Sequence, residues 1–78
     1  MPSIQIDISV ETARSITELA ERCTMADQER ASATTHGPLT VQTLFAMLAE
    51  DAALTITRSG SWEGSNMATI LQSHGYWL

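Results

Sequence analysis

Side chains able to do covalent chemistry are few in this chain and poorly placed for it. Cys23 is the single cysteine, and the two histidines, His36 and His74, are far apart in the sequence. Neither histidine belongs to a Ser, Cys or carboxylate constellation of the kind an activated nucleophile needs. Glu50 and Asp51 are neighbours, so on a helix they diverge by about 100° and cannot share a substrate as an acid–base dyad. No glycine-rich phosphate loop is present, and no paired Cys or His spacing suggests zinc. The expectation is a protein that is not an enzyme and carries no metal or cofactor. Cys23 lies on an apolar stripe, where a cysteine packs as a small hydrophobe.

Residue types suited to binding are clearer. In SIQIDIS, residues 3–9, Ile4, Ile6 and Ile8 alternate with Gln5 and Asp7. Period two puts the isoleucines on one face of a strand and Ser3, Gln5 and Asp7 on the other. β-branched side chains suit that pleat. A second group lies near the other end, where Trp62, Tyr76 and Trp77 are bulky aromatics of the type that anchors protein interfaces. They are candidates for partner-protein contact, unless a short helix packs them back onto the body of the fold.

Helices must position these groups. Ser9 stands where an N-cap belongs, and Glu11 follows in a first turn whose dipole favours negative charge. From Val10 the apolar period becomes helical, through Ala13, Ile16, Leu19, Ala20 and Cys23. The stripe predicts a helix to about Cys23, a frayed end, and a loop through Thr35, His36, Gly37 and Pro38. A second helix is expected from near Thr40 to about Thr57, with Val41, Leu44, Phe45, Leu48, Ala52 and Ile56 on its apolar side and Glu50 and Asp51 opposite. RSGSWEGSN, residues 58–66, reads as a break. Met67, Ile70, Leu71 and His74 then allow a short third helix, which Gly75 can end in a left-handed conformation.

The chain has 78 residues, nine acidic and only four basic, for a formal charge of −5; all four bases are arginine. That field repels nucleic acid at long range and favours basic protein partners. A monomer this short buries only about 60% of its unfolded surface. Without a disulfide, a second copy is the available way to enlarge the core. There is no basic leader and no run near the roughly 18 apolar residues of a spanning helix. We therefore expect a soluble, cytoplasmic protein.

Strand, cap, amphipathic helix, turn, amphipathic helix: in this order the chain resembles the ribbon-helix-helix family of small dimeric DNA-binding repressors and antitoxins. IQIDI, the cap Ser9, the stripe of the first helix and TVQTLFAML carry the resemblance. The fold it implies is mainly α with one short N-terminal β-strand, an intertwined β-α-α homodimer over 1–58 with a C-terminal extension over 59–78. The resemblance implies a dimer core of Ile4, Ile6, Ile8, Ile16, Leu19, Leu44, Phe45 and Leu48. It implies a transcriptional regulator whose paired strands enter the DNA major groove, with Ser3, Gln5 and Asp7 meeting base edges. Thr40, Val41 and Gln42 would hold a phosphate at the start of the second helix. The alternative is an acidic inhibitor or adaptor that grips another protein through its aromatic C-terminal segment and does not bind DNA.

Overall fold

The computed structural model describes residues 1–31 and 33–78, and contains three helices: α1 (Val10–Glu29), α2 (Val41–Thr57) and α3 (Trp62–Ser73). Among the described residues there is no β-strand, so the ribbon-helix-helix expectation is overturned. The physical reason lies in residues 3–8. A strand exists through ladder bonds to a neighbour, and the chain has no second segment of the same pattern to supply one. Ile4, Ile6 and Ile8 are accordingly exposed in the single chain, Ile4 to 87%.

Two compact units make up the chain, Met1–Gln42 and Thr43–Leu78. In the first, α1 begins where the sequence indicates: the Ser9 hydroxyl accepts from the Thr12 backbone N–H at 3.1 Å. Its inward face is Ala13, Ile16, Ala20, Cys23, Thr24 and Asp27, of which Ala20 and Asp27 are fully buried. Leu19, assigned to the core by its spacing, is exposed, as is Val10. The helix continues six residues beyond Cys23, because polar side chains take over the inward face where apolar ones end.

Those side chains organise the connector that follows. The Thr24 hydroxyl donates to the Leu39 carbonyl at 3.0 Å and accepts from the Leu39 N–H at 2.9 Å. Three residues on, the buried Asp27 carboxyl accepts from the Thr34 hydroxyl, whose oxygen in turn accepts from the Gly37 N–H at 3.2 Å. Gly37 has φ +66°, a left-handed conformation that glycine adopts without penalty. Residues read from sequence as a plain loop are therefore stitched to the last turns of α1.

In the second unit Leu44 is fully buried, and Phe45, Met47, Leu48, Leu54, Met67, Ala68 and Leu71 are half-buried. Ile56, placed on the apolar stripe of α2 by its period, points out instead, whereas Asp51 is half-buried. The break after α2 is short. Arg58 N–H still bonds the Leu54 carbonyl, and the Ser61 N–H and hydroxyl both donate to the Arg58 carbonyl. Ser61 then caps α3 by accepting from the Gly64 N–H at 3.1 Å. This cap starts α3 at Trp62, five residues earlier than the apolar pattern suggests.

Candidate partner-binding surface

The aromatic residues are held out from the fold by ordered backbone at both ends of α3. Trp62 is the first residue after the Ser61 cap and is 79% exposed. At the other end the Gly75 N–H bonds the Gln72 carbonyl at 2.9 Å, and the Tyr76 N–H reaches back to the Leu71 carbonyl at 3.0 Å. With Gly75 at φ +91°, these two bonds make a Schellman termination. It turns the chain away from the helix axis, and Tyr76 and Trp77 follow it 63% and 77% exposed. The short third helix thus does not tuck the aromatic rings onto its own unit.

Its inward face explains why. Gly64, Met67, Ala68 and Leu71 point inward at helical spacing, while Trp62, Asn66, Thr69, Ile70 and Ser73 point outward. The helix has 12 residues and so is about 18 Å long. Trp62 and the Tyr76–Trp77 pair therefore stand at opposite ends of α3 and do not form a single cluster. Ile70, exposed between them, and the exposed Leu78 extend the apolar surface.

Elsewhere the sequence-derived candidates separate. Ser3, Gln5 and Asp7 are exposed on a segment without strand pairing. Thr40 and Gln42 are exposed and Val41 is half-buried at the start of α2. Of the predicted core, Leu44 is fully buried, Ile16, Phe45 and Leu48 are half-buried, and Leu19 is exposed. His36 lies in the connector, its Nδ1 2.8 Å from the Thr35 hydroxyl, and His74 caps the end of α3. Among the described residues, no three of His, Cys, Asp and Glu are grouped to hold a metal ion. No described helix is long and apolar enough to cross a membrane. Sequence reasoning missed Gly64, Asp27 and the Thr24–Leu39 pair; only the small size of Gly64 beside a capping serine was a usable signal.

The chain matches no known protein family, no curated protein and no solved structure.

Proposed function

We propose that this chain is a protein-binding module, an inhibitor or adaptor that holds its partner through the outer face of α3 and the aromatic residues at the two ends of that helix. The observation that carries this reading is the exposure of Trp62, Tyr76 and Trp77 on hydrogen-bonded, capped backbone. Large aromatics with few rotatable bonds lose little entropy on binding and dominate interface energetics. A pre-ordered helix end also reduces the ordering cost of association. The formal charge of −5 supports a protein partner over DNA, because phosphates would be repelled. The DNA reading starts from a paired N-terminal strand, and no strand is found among the described residues.

The test is affinity capture from extracts of cells that make the protein, comparing the parent with a Tyr76→Ser/Trp77→Ser variant of matched helicity. Loss of two anchors should weaken capture of a discrete partner by about 30-fold, the equivalent of about 2 kcal/mol. Equal capture by parent and variant would remove the aromatic surface from the account. Saturable binding of the DNA upstream of the gene at near-physiological salt would return the function to DNA.

A further inference from the structure

The first unit carries a second candidate surface, on an outer side of α1. Among its described residues only Ala20 and Asp27 are fully buried, while Ile8, Val10, Leu19 and Met25 stay exposed. The chain exposes 6444 Å², where a folded monomer of its size exposes roughly 4,600 Å². The surplus of about 1,800 Å² exceeds the roughly 800 Å² that each partner gives to a standard interface. Surface is left over for a second interface beside the aromatic one.

Val10, Arg14, Thr17, Glu21 and Met25 lie along one stripe of α1, at successive spacings of four, three, four and four residues. All five are exposed, and the first four line one open depression with Ile8. The stripe reads apolar, positive, small, negative, apolar. Among the described residues, Arg14 and Glu21 have no ion-pair partner. Their charges cancel within the stripe, and Glu18 beside them is taken by Arg22 at 2.8 Å.

We infer that this stripe is the seam of a homodimer in which two copies of α1 pack antiparallel. Charge complementarity selects both the occupant and its direction. A two-fold axis near Thr17 and Glu18 sets Val10 against the partner's Met25, and Arg14 against the partner's Glu21. Each contact then occurs twice, as an isologous interface requires. A parallel pair would set Arg14 against Arg14 and Glu21 against Glu21, like charge on like. Thr17 suits the centre, because its hydroxyl already donates to the Ala13 carbonyl at 2.9 Å and needs no partner across the seam. No strand takes part. The formal charge of −5 lies outside the stripe, so it opposes pairing only at long range, where salt screens it. This inference does not depend on the aromatic surface of the second unit.

The test is sedimentation velocity on the full chain over a wide concentration range, beside Arg14→Glu, Glu21→Arg and an equimolar mixture of those two variants. The parent is expected to dimerise reversibly. Each single substitution turns two attractive contacts into two repulsive ones and should weaken dimerisation about 30-fold. Mixing the variants restores both pairs, so heterodimers should form over the parent's concentration range. Both sites are exposed, and circular dichroism should show parental helicity in each variant. Tryptophan emission should stay constant through the transition, because Trp62 and Trp77 lie outside the seam. A parent that stays monomeric at every concentration would overturn the inference. A dimer indifferent to both substitutions would also overturn it, as would two folded variants that remain monomeric when mixed.

Discussion

Gly64→Ala destabilises the second unit by about 2 kcal/mol, in the range of overpacking against a rigid neighbour. A Cβ at this position would stand 2.7 Å from the Arg58 carbonyl oxygen and 2.8 Å from the Leu54 carbonyl oxygen. Both are backbone atoms, and both already accept hydrogen bonds, from the Ser61 and Arg58 N–H groups respectively. Neither can yield without opening the α2–α3 corner. The sign of the effect is what makes the measurement decisive. In a helix free of this contact, alanine would be favoured over glycine by about 1 kcal/mol. Urea denaturation of the two proteins therefore separates a tight corner from an unpacked helix end, and a stabilised variant would refute the packing of α3 described above. Because Trp62 sits in the same turn, loss of the corner would also carry one end of the aromatic face with it.

Asp27→Ala is the second large effect, expected at about 1–3 kcal/mol, because it removes the acceptor of the half-buried Thr34 O–H, which is then left without a partner for its proton. Asp27 is 1% exposed and links the last turns of α1 to Thr34, and through Thr34 to Gly37. Asp27→Asn keeps a carbonyl oxygen on the same stem and should cost less than alanine. A local readout accompanies the global one: trypsin cleavage after Arg30, at the end of α1, should accelerate in the alanine variant. Unchanged cleavage and an unchanged denaturation midpoint would show that the connector is held by Thr24 and Leu39 alone.

These two residues illustrate what the sequence could and could not disclose. The helical period of α1, the caps at Ser9 and the turn at Gly75 are local properties, and local patterns report them faithfully. Asp27 stands on the inward face at the spacing of Ala13, Ile16, Ala20 and Cys23, yet a carboxylate there reads as solvated until its partner seven residues later is seen. Gly64 reads as a helix breaker, because nothing in the sequence reveals the two carbonyls that exclude a side chain. The alternation of Ile4, Ile6 and Ile8 is a true strand pattern. It produces no strand because pairing is a property of two segments, and the chain supplies one. The exposure of Trp62, Tyr76 and Trp77 depends on which face of α3 packs inward, decided by Gly64, Met67, Ala68 and Leu71 rather than by the aromatics themselves.

The most direct test of the central claim, that the aromatic residues stand open to a partner, uses the fact that Trp62 and Trp77 are the chain's two tryptophans. Their emission and acrylamide quenching can be measured on the purified protein across a wide concentration range, with the urea-unfolded chain as reference. The account predicts red-shifted emission in the folded protein and quenching close to the unfolded value, both independent of concentration. Blue-shifted, protected emission in the dilute folded chain would contradict it, because the rings would then be covered by the protein's own fold.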